Sequence, residues 1–250
     1  MKHARKKRGF FSYCRLLIIA ICVCVFVYSA SQLISIYLEY RHIDTYYEDL
    51  RKSYGNDKND EFVIDWRSLL ERNNDVIAWI QVPGTHIDYP VLKGATNDTY
   101  LRHDIDHKYL VAGSIFVDAM HSKPFEEPNT IIYGHHMKND SMFSDLLLYQ
   151  KDPKYAKEHS IINIYFPNDT VKEYKVISTH IVDGRSRIYM TNIPDLHEYY
   201  NLMDQDNVLD APIEQNNAPV ITLSTCLTYD LQAYSRVAVH ASLQNTKSIK

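Results

Sequence analysis

The chain opens with one long apolar segment and then changes character. Residues 16–38, LLIIAICVCVFVYSASQLISIYL, run for 23 positions without a charged side chain. A helix of that length crosses a hydrocarbon core of about 30 Å with some tilt. The pattern therefore predicts a transmembrane segment over residues 16–38.

Residues 39–61 predict a juxtamembrane helix followed by a linker. Apolar side chains recur at alternating steps of four and three, which marks one helix face: Ile36, Tyr40, Ile43, Tyr47 and Leu50. The polar stretch SYGNDKNDE predicts that this helix stops at Gly55. Asp65 then stands where it could cap a second, short helix with the sequence DWRSLLERNN.

From Val76 onward the sequence becomes a series of short runs rich in β-branched and aromatic residues. Turn residues separate most of the eight runs, which are VIAWIQV, HIDYPVL, SIFVD, TIIYG, IINIYF, VKEYKVISTHIV, PVITLST and SRVAVHASL. Eight such strands in about 170 residues predict a mainly β fold with a closed or nearly closed barrel, rather than a βαβ fold.

Two helical segments interrupt the predicted strands. SDLLLYQKD precedes Pro153, and PDLHEYYNLMDQD precedes the strand that ends in a cysteine. In the second segment, Leu196, Tyr199, Tyr200 and Met203 follow the spacing of one helix face.

Charge divides the chain at the apolar segment. Residues 1–15 hold six Lys and Arg and no acid, which leaves 21 Lys and Arg against 31 Asp and Glu beyond them, a formal charge of −10. The positive-inside rule predicts a cytoplasmic tail over residues 1–15 and an extracellular domain over residues 62–250. A cleaved signal peptide is the alternative, but the apolar run exceeds the roughly 7 to 15 residues of such peptides. The acidic excess argues against a nucleic-acid partner.

Only one cysteine, Cys226, lies beyond the membrane segment, so the exported part has no intramolecular disulfide. It is then a reactive thiol, an intermolecular partner or a small buried side chain. If PVITLSTC and SRVAVHASL pair as neighbouring strands, Arg236 lies beside Cys226. A nearby cation favours the thiolate, and a guanidinium can hold an oxyanion. A surface arginine is the plain alternative.

A second group of interest occurs in NTIIYGHHMKND, where an apolar strand ends at Gly134. His135 and His136 follow the glycine directly. Histidine titrates near neutral pH and can carry a proton to a leaving amine. The pattern alone does not choose between the two histidines.

These segments together resemble a known family. TLSTC with Arg236 ten residues downstream, preceded by YGHHM, resembles the active-site set of the sortases, cysteine transpeptidases of Gram-positive surfaces, and most closely class B. NNDVIAWIQVPGTHIDYPVL, DTYLRHD and GSIFVD are also similar to that class, so the resemblance runs over residues 62–243. It implies an eight-stranded sortase-type β-barrel with N-terminal helices and a helical insert before the cysteine strand.

The resemblance also implies roles for particular residues. Cys226 becomes the nucleophile, Arg236 the oxyanion-stabilising group and His135 the general acid and base, because the family places its histidine directly after the glycine. The implied substrate-binding residues are Asn97, Leu101, Tyr133, Ser224 and Thr225, each of which also has a structural interpretation as core, cap or packing. Leu227 departs from the pattern, since some class B members carry an acid there.

The implied reaction is cleavage of a C-terminal sorting signal, of the NPxTx or SPxTG type, after its threonine. A thioacyl intermediate then passes the surface protein to an amine of a peptidoglycan precursor, or slowly to water. No cofactor and no metal ion are expected. The implied partners are surface proteins with a sorting signal and the cell-wall amine, and the implied location is the cell membrane.

Three other interpretations compete with this one. HDIDH at residues 103–107 has the spacing of the zinc-binding HExxH helix, with Asp104 in place of the glutamate. Papain-like and NlpC-like wall peptidases place their cysteine before their histidine, the reverse of the order here. An anchored surface protein with an incidental thiol is the non-enzymatic alternative.

Overall fold

The computed structural model describes residues 9–58, 61–209, 213, 216–227 and 234–249. It divides into two compact units, Met1–Tyr46 and Tyr47–Lys250. Most of the predicted basic tail lies outside the described residues. Helix α1, Phe10–Tyr54, is uninterrupted, so the apolar segment and the juxtamembrane helix are one element. It is long and apolar enough to cross a membrane and is compatible with a single-pass anchor.

Helix α1 ends directly before Gly55, as the polar stretch predicted. Its last turns, from Tyr47 onward, belong to the second unit and pack against other parts of that unit. The Tyr47 hydroxyl donates to the carbonyl of Gly113, and Arg51 forms an ion pair with Asp88. Asp88 also accepts a hydrogen bond from Trp79 Nε1 at 2.7 Å.

A small antiparallel sheet follows, formed by β1 (Gly55–Lys58) and β2 (Glu61–Ile64). The sequence did not predict it, because GNDK consists of polar and turn residues without alternation. Helix α2, Trp66–Arg72, comes next, and the Asp65 side chain accepts a hydrogen bond from the Ser68 N–H at 3.2 Å. The predicted cap is thus confirmed.

All eight predicted barrel strands are confirmed. They are β3 (Val76–Gln81), β4 (Asp88–Leu92), β5 (Ile115–Val117), β6 (Asn129–Tyr133), β7 (Ile161–Phe166), β8 (Thr170–Asp183), β9 (Val220–Cys226) and β10 (Ser235–Ser248). Around the closed barrel their order is β10, β8, β7, β3, β4, β5, β6 and β9. The pairs β4 with β5 and β6 with β9 are parallel.

The two predicted helical segments are also present. Helices α3 (Leu146–Lys151) and α4 (Pro153–Glu158) connect β6 to β7, and a 3₁₀ turn (Arg187–Tyr189) and helix α5 (Leu196–Asp204) precede β9. Helix α4 was not predicted, because Pro153 was interpreted as the end of a helix. It is instead the first residue of the next one, where a missing N–H costs nothing.

The strand pairing explains why distant parts of the sequence meet. The parallel pair β6 and β9 places Tyr133 beside Ser224, so both strands end at the same edge of the barrel. Strand β10 runs antiparallel to β9 and begins at that edge, with Arg236 opposite Cys226. Three strand ends therefore converge at one place.

A buried polar network lies further along β9 and β10, away from that edge. It is on the face of the two strands that also carries Cys226 and Arg236. The fully buried His240 has its Nδ1 2.9 Å from Thr222 Oγ1, which donates to Asn129 Oδ1 at 2.8 Å. Because the hydroxyl proton is used there, His240 Nδ1 carries the proton of the neutral ring. The ring of His180 lies 5.4 Å away, centroid to centroid.

His240 predicts that the fold is sensitive to acid. Burial, reinforced by His180, lowers the pKa of His240 well below 6.5. Below pH 6.5 the unfolded chain therefore binds a proton that the folded chain does not bind. The free energy of unfolding is unaffected by this group above that pH and decreases as the pH falls below it. We expect His240→Asn to weaken this dependence by up to about 1.4 kcal/mol per pH unit. Urea unfolding of the wild-type and His240→Asn proteins between pH 7.5 and 5.5 measures this difference. Equal slopes of the free energy of unfolding against pH in the two proteins would contradict the prediction.

Candidate active site

A cavity of about 260 Å³ opens at the edge where β6 and β9 end and β10 begins. The eight site residues predicted from the sequence all line it: Asn97, Leu101, Tyr133, His135, Ser224, Thr225, Cys226 and Arg236. The fold thus brings together residues from four separate segments of the chain.

The thiol and the guanidinium come from adjacent strands. Cys226 is the last residue of β9 and stands directly opposite Arg236 in the antiparallel pair with β10. Opposite residues of such a pair share one face, with Cβ atoms about 4.5 to 5.5 Å apart. Both side chains are half-buried. The predicted pairing of the two runs as neighbouring strands is confirmed.

Gly134 allows the chain to leave β6 in close contact with its neighbours. Its N–H donates to the carbonyl of Ser224 at 3.2 Å, which prolongs the pairing with β9. A Cβ at this position would lie 2.5 Å from Ile115 Cδ1 and 2.7 Å from the ring of Phe143. Only glycine fits without a shift of these side chains, and the next residue, His135, emerges into the cleft.

His135 is held by a backbone carbonyl across the cleft. Its Nε2 lies 2.6 Å from the carbonyl oxygen of Leu101, so Nε2 carries the proton and the neutral ring keeps a lone pair on Nδ1. Burial lowers the pKa of His135, the Leu101 carbonyl opposes the change, and the charges of Arg102 and Arg236 lower the pKa further. The ring is therefore neutral at pH 7.

The two adjacent histidines have different surroundings. His135 lines the cleft, whereas His136 does not. The ring of His136 hydrogen-bonds to the backbone of Cys226, and burial lowers the pKa of His136. The structure thus separates two residues that the sequence pattern left equivalent.

Two of the predicted groove residues share a partner. Asn97 Nδ2 lies 3.2 Å, and the Tyr133 hydroxyl 3.0 Å, from Oδ2 of the buried Asp118. Tyr133 also packs on Phe116, with ring centroids 5.6 Å apart. Leu101 is 38% exposed, so it is not a core residue.

Ser224 and Thr225 point to opposite faces of β9, as successive strand residues do. Ser224 shares the face of Cys226, and its Oγ lies 2.9 Å from the hydroxyl of Tyr189. Thr225 is 2% exposed on the other face.

The cleft is also lined by four residues that the sequence did not single out: Asp98, Phe116, Gly184 and Tyr189. Asp98 and Phe116 lie inside the segments NDTYL and GSIFVD, which could have indicated them. Tyr189 lies in the 3₁₀ turn, outside any such segment. Burial raises the pKa of Tyr189 to about 12, against the opposing effects of Ser224 and Arg236.

The HDIDH run does not form a zinc-binding helix. Residues 103–107 run from an isolated β-bridge at His103 into a turn and a bend, and the Asp104 carboxylate accepts the N–H groups of Asp106 and Lys108, both at 2.9 Å. His107 has a left-handed backbone with φ of 60°. In the part of the chain that the structure describes, no three His, Cys, Asp or Glu side chains are grouped to hold a metal ion. The HExxH interpretation is therefore wrong, because its two histidines must share a helix face.

The closed barrel holds a thiol, an imidazole and a guanidinium at one edge, a set of groups suited to acyl transfer by a cysteine enzyme. Residues 80–244 match the family model described as the sortase domain, and the chain belongs to the sortase family. The fold and class predicted from the sequence are confirmed.

The relatives include class B members. Sortase B of Listeria monocytogenes serovar 1/2a is 30% identical over 235 residues, which cover 88% of this chain and 92% of the relative. Sortase B of Staphylococcus aureus NCTC 8325 is 30% identical over 247 residues, covering 96% and 98%.

Solved structures agree in fold. A Staphylococcus aureus sortase B–substrate complex superposes with a TM-score of 0.71 at 24% identity, covering 83% of this chain and 99% of that chain. Sortase B from Listeria monocytogenes gives a TM-score of 0.60 at 31% identity, covering 71% and 99%.

Proposed function

We propose that Cys226, His135 and Arg236 carry out transpeptidation on a C-terminal sorting signal of the NPxTx or SPxTG type. The observation that supports these roles is their convergence: Arg236 stands opposite Cys226 in the strand register, and His135 lines the same cleft. Each group has a chemical task there that the other two cannot perform.

In the first half-reaction, the neutral His135 ring accepts the thiol proton and Cys226 Sγ attacks the carbonyl carbon of the signal's threonine. The carbonyl oxygen becomes an oxyanion, which the Arg236 guanidinium stabilises with donors that do not lose their protons. The C–N bond then breaks, and His135 gives its proton to the departing amine. A thioester between Cys226 and the surface protein remains.

In the second half-reaction, an amine of a peptidoglycan precursor attacks the thioester. A new amide bond forms, the bond to sulfur breaks, and the proton lost by the amine returns to the enzyme through His135. The surface protein is then joined to the cell wall. Water in place of the amine gives slow hydrolysis and a free carboxylic acid.

The remaining residues of the cleft are proposed to bind the peptide. Leu101 offers exposed apolar surface, Asn97 and Tyr133 offer polar groups, and Ser224 and Thr225 flank the nucleophile on β9. Leu227 follows Cys226 as an uncharged residue, so no acid of this position takes part in the reaction.

Localisation is proposed from charge and helix length. The six Lys and Arg of residues 1–15 precede the apolar segment 16–38, and the positive-inside rule places them in the cytoplasm. Residues 62–250 would then lie outside the cell, where sorting signals and cell-wall amines meet. The acidic character of this part supports protein and cell-wall partners rather than nucleic acid.

The reaction is tested by mass spectrometry on the full chain in detergent micelles. The protein is incubated with NPxTx and SPxTG peptides, with and without triglycine as the amine. We expect cleavage after threonine, a thioacyl adduct on Cys226, and a product in which triglycine is joined to the threonine. Scrambled peptides of the same composition are the control. Cleavage at another bond, or a product without an adduct on Cys226, would contradict the proposal.

A further inference from the structure

Asp118 is a buried carboxylate just behind the cleft, directly after β5. It is 7% exposed and does not line the cavity itself. Among the ion pairs between described residues, none joins Asp118 to a lysine or an arginine. A buried charge without a countercharge is costly unless hydrogen bonds satisfy it. The hydrogen bonds that Asp118 accepts must therefore compensate for its burial.

Three donors converge on the two carboxylate oxygens. The N–H of Met120 donates to Oδ1 at 2.9 Å. The Tyr133 hydroxyl, at 3.0 Å, and Asn97 Nδ2, at 3.2 Å, both donate to Oδ2. Because an ionised carboxylate only accepts, both cleft residues must turn a proton toward it.

This arrangement fixes the orientation of the Asn97 amide. Its nitrogen faces Asp118, and its oxygen accepts the N–H of Ala119 at 2.7 Å. A flipped amide would place a donor against the Ala119 N–H and an acceptor against the carboxylate. Both hydrogen bonds would be lost, so the amide is locked in one orientation.

The same carboxylate fixes what Tyr133 presents to the cleft. The single hydroxyl proton is used on Asp118, so only the oxygen lone pairs remain for a ligand. Burial and the charge of Asp118 raise the pKa of Tyr133, which keeps the hydroxyl protonated. The cleft therefore offers an acceptor at Tyr133 and the second N–H of Asn97.

We propose that Asp118 is a positioning residue that sets the hydrogen-bonding polarity of the peptide groove through Asn97 and Tyr133. It touches no reacting atom and acts only through these two side chains. The inference rests on the proposed function, because it takes the cleft as the groove for the sorting peptide. It implies that the groove fits an uncharged peptide group with both a donor and an acceptor.

Asp118→Asn tests this with almost no change in shape. Both carboxylate oxygens accept from donors, so an amide nitrogen in either place meets a donor. One orientation loses the hydrogen bond from Met120, and the other loses those from Tyr133 and Asn97. Even in the first orientation, Tyr133 and Asn97 donate to a neutral amide oxygen, which is a weaker acceptor than a carboxylate oxygen and holds both side chains less firmly. We expect KM for the sorting peptide to rise about tenfold while kcat changes less than about twofold, because remote binding is lost before chemistry is affected.

Two comparisons separate positioning from general damage. Asp145→Asn makes the same change in another buried carboxylate, which accepts the His86 N–H at 2.7 Å and does not line the cleft. It is expected to lower the melting temperature without raising KM. In an Asn97→Ala, Tyr133→Phe background, Asp118→Asn should change KM less than about twofold, since the side chains it positions are gone.

The measurements use the full chain in detergent micelles. If Asp118→Asn does not fold, Asp118→Ser replaces it, because the smaller side chain leaves room for a water molecule that can accept the hydrogen bonds. An unchanged KM with a lowered melting temperature overturns the inference, as does an equal rise of KM in Asp145→Asn or an undiminished effect in the double-variant background. Failure of the wild-type chain to cleave any sorting peptide would instead overturn the proposed function.

Discussion

Cys226→Ala is expected to reduce cleavage of a sorting-signal peptide by at least about 10⁴-fold, to the level of the buffer. The reason is that the thioacyl route needs a sulfur nucleophile, and the part of the chain that the structure describes has no other cysteine at the cleft. Alanine removes only the sulfur atom from a half-buried strand end, so the barrel is expected to stay folded. Cleavage of a quenched fluorescent peptide measures the loss.

Thiol chemistry provides the control for this prediction. A methanethiosulfonate reagent should abolish the activity of the wild-type chain, and a reducing agent should restore it. Cys24→Ala removes a cysteine of α1 and is expected to leave the activity unchanged. Full activity in the Cys226→Ala chain would end the proposed mechanism, and a loss in Cys24→Ala would show that another thiol takes part.

His135→Ala is expected to lower kcat by about 10²- to 10⁴-fold, with the larger effect on peptides that have poor leaving amines. The ring is held by the Leu101 carbonyl with its Nδ1 lone pair unprotonated, the state that can take the thiol proton. Its lowered pKa keeps it neutral at pH 7, so the acceptor form is the resting form. Steady-state kinetics at saturating peptide measures the loss.

The neighbouring histidine is the matched control. His136→Asn keeps an N–H that can reach the Cys226 backbone, and it is expected to cost less than about tenfold, the value of one neutral hydrogen bond. A greater loss in His136→Asn than in His135→Ala would exchange the roles of the two residues.

Local pattern predicted the strands well, because β-branched and aromatic runs between turn residues are a property of each segment alone. The exceptions also have local causes. The short sheet of β1 and β2 contains too few apolar residues to show a pattern, and Pro153 begins a helix where it was expected to end one.

The site was predictable only in part. Cys226 and Arg236 belong to consecutive strands, so their pairing follows from an ordinary antiparallel connection. The approach of His135 depends on the parallel pairing of β6 with β9, which no local pattern reveals, and the family resemblance supplied it. Asp118 was passed over because its importance comes from two tertiary hydrogen bonds, which Asn97 and Tyr133 donate.

The parallel pairing of β6 with β9 also has a kinetic consequence. It joins segments whose bonded residues Asn129 and Thr222 are 93 positions apart, and such non-local pairing forms slowly because a long loop must close first. Until that closure, Cys226 and His135 lie in separate parts of the chain. Under the proposed mechanism, a nascent or partly folded chain therefore carries an ordinary thiol, which becomes competent for acylation only when the barrel is complete.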